Sequence, residues 1–168
     1  MAWIDLNGPV LADTVYDAGK LVAKDVTITL PAINLLTADF KAMGTLTLPI
    51  IGQIEAMEAT VNKVGTDMGL RSMASLDSRT LEFRWVQDVK KADGSTKTVG
   101  CKEFLRVVTK TIPGLSVDPG SQSENELGYA VSRYQLFVDG TEYWLIDQLN
   151  QILRVGGKDY YKQIRSLL

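Results

Sequence analysis

Apolar and polar residues alternate with a period of two through most of this chain, the pattern of strands with one buried face. In Asp25–Leu30 (DVTITL), Val26, Ile28 and Leu30 point one way and Thr27 and Thr29 the other. Pro31 ends that run or confines it to a sheet edge, because proline has no N–H to give to a ladder. Ile33–Met43 (INLLTADFKAM) reads as a long and rather polar strand, interrupted at Gly44 and resumed from Thr45 in TLTLPIIGQIEAMEATVNKV. Within Ile54–Val64 neither face is strongly apolar, which predicts a segment outside the ordinary core. Leu81–Val89 sets Leu81, Phe83 and Trp85 against Glu82 and Arg84, with Gln87 among the polar positions. Asp93-Gly94 in Lys90–Thr96 predicts a tight turn, with a returning strand from Lys97 to about Ile112. Two final strands follow from Tyr129, hairpinned at Asp139-Gly140.

Two stretches break the alternation toward a helical period. In Thr66–Ser75 (TDMGLRSMAS), Thr66 or Asp67 caps a helix that places Met68, Leu70 or Arg71, and Met73 or Ala74 at helical spacing. Gly69 costs it about 1 kcal/mol of propensity relative to alanine. After Gly156-Gly157, residues 158–168 predict a short helix with Tyr160 or Tyr161, Ile164, and Leu167 or Leu168 in one stripe. Pro113–Leu127 (PGLSVDPGSQSENEL), with its prolines, glycines and polar tract, predicts a long loop. The sequence contains neither repeats nor a second hydrophobic block. The expected fold is one mainly β (α+β) domain over 1–168, with one or two short helices.

Composition narrows the function more than the fold. The 168 residues are 45% hydrophobic, and no apolar run approaches the roughly 18–20 residues that cross a bilayer, so no stable membrane insertion is expected. The opening MAWIDLNGPV lacks the basic start and long apolar stretch of a secretory signal, so cytoplasmic synthesis is expected. Eighteen Lys and Arg stand against 20 Asp and Glu, which leaves no footprint for tight nucleic-acid binding. Cys101 is the only cysteine, expected as a partly buried free thiol, and there is no histidine. Ser-His-Asp and Cys-His catalysis and the common zinc sites are thereby excluded. Asp88 with Asp93 and Glu124 with Glu126 read as solvated carboxylates. Gly156-Gly157-Lys158 lacks the spacing of a phosphate loop. Phe83, Trp85, Tyr129, Tyr134, Phe137, Tyr143 and Trp144 read as core or subunit contacts. No catalytic, cofactor or metal site is expected.

Pro31–Val64 then stands out. Two long strands with little apolar bias would leave open edges, which tend to pair with other chains. Side-by-side subunits that join these strands into one closed barrel remove the edges. One face would then line a lumen and the other would pack on the subunit's own core. The alternative from another class is a monomeric β-sandwich binding module.

Particular motifs lend this reading a family. Thr14–Gly19 (TVYDAG) leads into KLVAKDVTITLPAI with its Leu30-Pro31 pair, then the hairpin stretch LLTADFKAMGTLTLPIIGQIEAMEATVNKVG, and finally VDG…ID…VGGKDYYKQIRSLL. That order resembles the major tail tube proteins of contractile-tailed phages and phage-tail-like (R-type) bacteriocins. The middle, residues 66–126, matches only in general character, and TLTLPIIGQ is more apolar than the family's usual hairpin tip. A type VI secretion tube would share the same logic.

The resemblance implies a small β-sandwich or half-open barrel flanked by a helix, with strands joining across subunits into a ring-shaped β-barrel. Hexameric rings would stack into a hollow tube inside a contractile sheath. Such a tube pierces the target envelope and conducts DNA in a phage or ions in a bacteriocin. Implied partners are further copies of the chain, the tail sheath, baseplate or tail-tip and terminator proteins, with tape measure protein and DNA transiently in the lumen. The expected location is a virion tail or bacteriocin particle, assembled in the host bacterial cytoplasm. The hairpin of 31–64 would offer Asn34, Thr37, Asp39, Lys41, Glu55, Glu58 and Asn62 to the lumen. Ring stacking or sheath contact would fall to the N-terminal segment 1–11, with Trp3 and Ile4, and to the loop 113–127, with Ser116, Asp118, Ser121 and Glu124.

Overall fold

A computed structural model describes residues 5–168. The chain runs through β1 (Leu6–Asp17), β2 (Lys20–Lys24), β3 (Thr27–Thr29), β4 (Leu35–Lys41), β5 (Thr45–Ile54), β6 (Met57–Val64) and α1 (Met68–Met73). It continues through β7 (Arg79–Lys90), β8 (Thr96–Thr111), β9 (Glu124–Val138), β10 (Thr141–Asp147), β11 (Ile152–Val155), β12 (Lys158–Asp159) and α2 (Lys162–Ser166). The main sheet has the order β12-β11-β10-β9-β8-β7-β1-β2, with β6 beside β9 and β3 beside β6; β4 and β5 form a separate sheet. This is the mainly β fold, with two short helices, that the alternation predicts.

Turn chemistry sets the hairpins. Asp93 Oδ1 accepts from Ser95 N at 2.8 Å and Ser95 Oγ at 2.6 Å, and Gly94 takes φ +84°, closing β7 onto β8. Asp139 (φ 50°) and Gly140 (φ 77°) both lie in the left-handed region, the requirement of a tight turn that follows strand twist. One expected strand, YWLIDQLNQILRV, is in fact two. Asp147 accepts from Asn150 N at 3.1 Å and Asn150 Nδ2 at 2.7 Å, which turns the chain before β11.

The sheet curves because β9 changes phase. Asn125, Leu127, Tyr129 and Val131 are buried on its first half, Tyr134 and Leu136 on its second. The register against β8 slips between Arg106 and Val107, so the intervening Ser132 is the extra residue of a bulge, which bends a strand and raises its twist. Before the bulge β9 pairs with β6; after it, with β10. The result is a half-open barrel around Val15, Met57, Val61, Met73, Leu81, Phe83, Leu105, Val107, Leu127 and Tyr129.

Several sequence expectations change here. Ile54–Val64 does reach the core: Met57, Ala59, Val61 and Lys63 are buried on β6. The alternation is present but muted, because its inward residues are mostly small and Lys63 disguises the last of them. The loop expected over 113–127 ends at Ser123, since β9 begins at Glu124 and buries Asn125 and Leu127. Asn125 Nδ2 donates to Gly65 O at 2.9 Å, so a polar residue fills an inward position. The helix expected over 158–168 shrinks to α2, because Lys158–Asp159 adds a short strand to β11 and none of the α2 residues is buried.

A polar clasp holds α1 on the barrel. Asp67 caps it by accepting from Leu70 N at 2.9 Å and takes the Lys63 ammonium at 2.9 Å. The lysine, and then the Leu70 N–H, hold the Asp67 carboxyl below the usual carboxylate range. At the other end the C-terminal carbonyls of a helix lack partners and attract cations. Arg79 supplies them: it donates to Ser75 O at 2.5 Å and to Met73 O, and it pairs with buried Asp17 at 3.2 Å. Ser72 Oγ donates to Asp17 at 2.9 Å and Tyr129 OH to Met73 O at 2.8 Å.

Candidate subunit interface

The β4–β5 hairpin pairs Ala38 with Leu48, Phe40 with Leu46, Thr37 with Pro49, Asp39 with Thr47 and Lys41 with Thr45. Because side chains alternate across a ribbon, Leu36, Ala38, Phe40, Leu46, Leu48 and Ile50 share one face. Thr37, Asp39, Lys41, Thr45 and Thr47 share the other, where Thr47 Oγ1 donates to Asp39 Oδ1 at 2.7 Å. The turn uses Met43 (φ 51°) and Gly44 (φ 123°). The hairpin is therefore amphipathic and two-sided.

Its apolar face lacks full cover among the described residues. Phe40 is 52% exposed and Leu46 45% exposed, and Leu36, Leu48 and Ile50 are also exposed. Fully burying a side chain of this class gains about 1.5–3 kcal/mol. Half-exposed residues thus hold roughly half of that in reserve for whatever covers them. Both long edges are also unpaired with the main sheet, and a two-stranded ribbon alone is marginal in water. Exposed apolar surface and free edges in one ribbon mark a place where protein association is favoured.

The structure separates the residues expected to face the lumen. Thr37, Asp39 and Lys41 do share the polar face of the hairpin. Asn34 precedes β4, where its carbonyl accepts from Glu55 N at 2.9 Å, so both sit at the hairpin base. Glu58 and Asn62 are elsewhere, on β6 in the main sheet, facing away from the core. Glu58 pairs there with Lys110 in a cleft that Glu124 and Glu126 also line. Of the expected contact residues, Ser116, Asp118 and Ser121 are exposed in the loop before β9, while Glu124 is exposed within β9 itself. Trp3 and Ile4 lie outside the described residues. Sequence reasoning missed the apolar face: pairing Phe40 with Leu46 around the Met43-Gly44 turn would have revealed it.

The family model for phage tail tube protein FII matches residues 12–168. The chain belongs to that tail tube family. Among solved structures, a chain of the extracellular contractile injection system PVC sheath–tube complex, extended state, matches with TM-score 0.54 at 12% identity. That match covers 77% of this chain and 90% of the other. A chain of the PVC sheath/tube terminator, also extended, matches with TM-score 0.53 at 13% identity, over 77% of this chain and 95% of the other. At such identities the likeness is one of fold. A comparison with curated sequences finds no match.

The tail tube subunit is a structural protein, and its place is the tail of an assembled particle. Among the described residues there is no cluster of three or more His, Cys, Asp or Glu that would hold a metal ion. Cys101 is buried, and burial pushes its thiol pKa up, away from the reactive thiolate. Of the aromatics expected as core or subunit contacts, Phe83, Tyr129 and Tyr134 are buried, Trp85, Phe137 and Trp144 are partly covered, and Tyr143 is exposed.

Proposed function

We propose that the β4–β5 hairpins of neighbouring tube subunits join edge to edge into one continuous inner barrel of a hexameric ring. The carrying observation is the uncovered apolar face of Leu36, Phe40, Leu46, Leu48 and Ile50 on a ribbon whose edges are also free. In the ring the adjacent subunit covers that face, in place of the subunit's own core. The polar face, with Thr37, Asp39 and Lys41, lines the bore, and Asn34 and Glu55 lie where the barrel meets the body. Glu58 and Asn62 belong to the wall of the body. Closed barrels of this kind remove edges outright.

Rings stack into a tube through the loop that carries Ser116, Asp118 and Ser121. The tube runs inside a contractile sheath and ends at a terminator protein, partners supported by the fold shared with sheath–tube and terminator assemblies. It assembles on a baseplate in the host bacterial cytoplasm, around tape measure protein, and conducts DNA in a phage or ions in a bacteriocin. It is a passive conduit that catalyses nothing and does not remain inserted in a membrane. Thr37, Thr45 and Thr47 beside one Asp39–Lys41 pair of opposite charges give a bore that neither grips nor strongly repels a polyanion.

Negative-stain electron microscopy with light scattering, across a range of concentrations and with tail-tip complex added, tests the reading. Wild type forms rings or hollow tubes, whereas Phe40→Asp and Leu48→Asp stay folded and monomeric. Tubes of normal length from both variants would overturn the apolar-face argument. A wild type that stays monomeric even with tail-tip complex would overturn ring formation.

A further inference from the structure

We propose that Tyr161 and Gly52 form a hinge that fixes the angle of the β4–β5 hairpin to the body. Tyr161 is then a positioning residue for assembly. The inference rests on the ring reading for its purpose, and on the single subunit for its geometry.

The hairpin ladder breaks near its base. Leu35 pairs with Ile54, and the next pair is Thr37 with Pro49, so Leu36 alone lies opposite Ile50, Ile51, Gly52 and Gln53. Such an irregularity bends a ribbon and frees it from the register of its base. Below the break the ribbon is tied down: Glu55 N donates to Asn34 O at 2.9 Å and Gln148 Nε2 to Ile54 O at 3.3 Å. Above it the hairpin has no ladder to the main sheet.

Gly52 sits in the break with φ +84°, and the Tyr161 ring lies directly on it. A Cβ at position 52 would fall 2.1 Å from Tyr161 Cε2 and 2.4 Å from Cδ2. Two independent requirements thus select glycine, a left-handed backbone and the absence of a side chain. Tyr161 in turn is fixed from the body, where it packs against the main core. Its N–H donates to Asp159 Oδ1 at 3.0 Å, and Arg165 holds the same segment through Asp159 Oδ2 at 2.8 Å and Gln151 O at 2.7 Å. A groove of about 260 Å³ lined by Gln53, Asp147, Gln148 and Gln151 flanks the contact and leaves the ribbon room to swing once the ring is removed. The C-terminal segment therefore has a task that its small burial conceals. It presents one aromatic ring that holds the hairpin in a single pose before a neighbour arrives. Preorganisation of this kind lowers the ordering cost of association.

The test reads the angle in the monomer and assembly separately. Spin labels at Met43→Cys on the hairpin tip and Arg106→Cys on β8, in a Cys101→Ser background at dilute concentration, report the tip-to-body distance. The unaltered hinge gives one narrow distribution, and Tyr161→Phe keeps it, because ring carbons make the contact. Tyr161→Ala broadens it while the urea midpoint of the body stays near wild type, and the critical concentration for tubes rises roughly tenfold or more. Gly52→Ala, which keeps the whole Tyr161 side chain but forces ribbon and ring apart, shifts the mean distance and supplies the answer if Tyr161→Ala fails to fold. A narrow, unshifted distribution in Gly52→Ala and in a folded Tyr161→Ala would overturn the hinge, whatever the tubes do. Absence of wild-type tubes would overturn the ring reading and leave the distance result to decide the hinge.

Discussion

Replacing Glu103 should remove most of the pH dependence of this subunit's stability. Glu103 lies in mid-β8, opposite Phe83 on β7 and Leu136 on β9, and is fully buried. Neither carboxyl oxygen has a hydrogen-bond partner among the described residues. Burial raises its pKa from 4.5 to about 9, so the folded subunit carries this acid protonated at neutral pH. The sign follows from proton counting. Below 4.5 both folded and unfolded chains hold the proton, and nothing is lost. As pH rises from there the unfolded chain releases it while the folded chain keeps it, so stability declines until about pH 9, above which the difference is constant. Each pH unit in that window costs about 1.4 kcal/mol, or roughly 3 kcal/mol by pH 7, a large share of a typical domain's stability.

Other resolved shifts lie mostly outside this window. The chain has no histidine, and Asp67, Asp93 and Asp159 are all held below their usual range by hydrogen bonds, to Lys63, Ser95 and Arg165 first. Burial pushes Cys101, Tyr129 and Tyr134 upward. Urea denaturation of dilute monomer at pH 5, 7 and 8.5, wild type against Glu103→Gln, therefore isolates the Glu103 contribution. Wild type should lose stability steadily across that series, and Glu103→Gln should be nearly flat. The absolute gain for glutamine is reduced by its own buried amide, about 1–3 kcal/mol if unpaired, so the slope is the deciding quantity. Glu103→Leu should show both the flat profile and the larger gain. A Glu103→Gln profile that parallels wild type between pH 5 and 8.5 would refute the argument.

Three shorter predictions accompany it. Gly69→Ala should destabilise despite alanine's better helix propensity, since its Cβ would lie 1.9 Å from Val22 O; a cost of about 1–3 kcal/mol is expected in a thermal melt, and a stabilised variant would be the contrary result. Arg79→Met should cost about 3–5 kcal/mol by leaving buried Asp17 without its partner, measured by urea unfolding, with Asp17→Asn in the same background recovering part of it. Deleting residues 116–122, which stops short of β9, should leave circular dichroism and melting unchanged but yield rings without long tubes by electron microscopy. Wild-type tube length from that deletion would remove the loop from stacking.

What the sequence revealed, and what it hid, follows from how locally each element is encoded. The β7–β8 and β9–β10 hairpins were legible because Asp93-Gly94 and Asp139-Gly140 demand turn conformations that strong alternation then extends. The Asp67 cap was legible for the same reason, its bond to Leu70 N being three residues away. The phase change at Ser132 was hidden, because a bulge leaves both half-strands with normal alternation and shows only as a slipped partner. Lys63 and Asn125 hid two inward positions by being polar, each made acceptable by a bond that only the fold supplies. In the hairpin, polarity marks Thr37, Asp39 and Lys41, and the alternation of one strand is enough to unite them on one face. Glu58 and Asn62 were drawn in because sequence does not show where the ribbon ends and β6 turns into the barrel.

That boundary also separates what the subunit stabilises by itself from what it leaves to assembly. The barrel body supplies its own core, Glu103 apart: inward residues from β6, β7, β8 and β9 meet in one cluster, and Arg79, paired with Asp17, satisfies the end of α1. The hairpin beyond Gly52 has nothing equivalent. Among the described residues its apolar face is exposed and its edges lack partners, and it is held at its base, by the Tyr161 ring and the Gln148–Ile54 bond. By the proposed reading, a subunit made in this way folds its body alone yet completes its hydrogen bonding and burial only in company. In the proposed ring, mass action would favour assembly as concentration rises, and each added neighbour would cover one apolar face and two edges while leaving the polar face to the bore. Burying the hairpin against its own barrel would make a more stable monomer, and it would remove the surface from which we propose the tube is built.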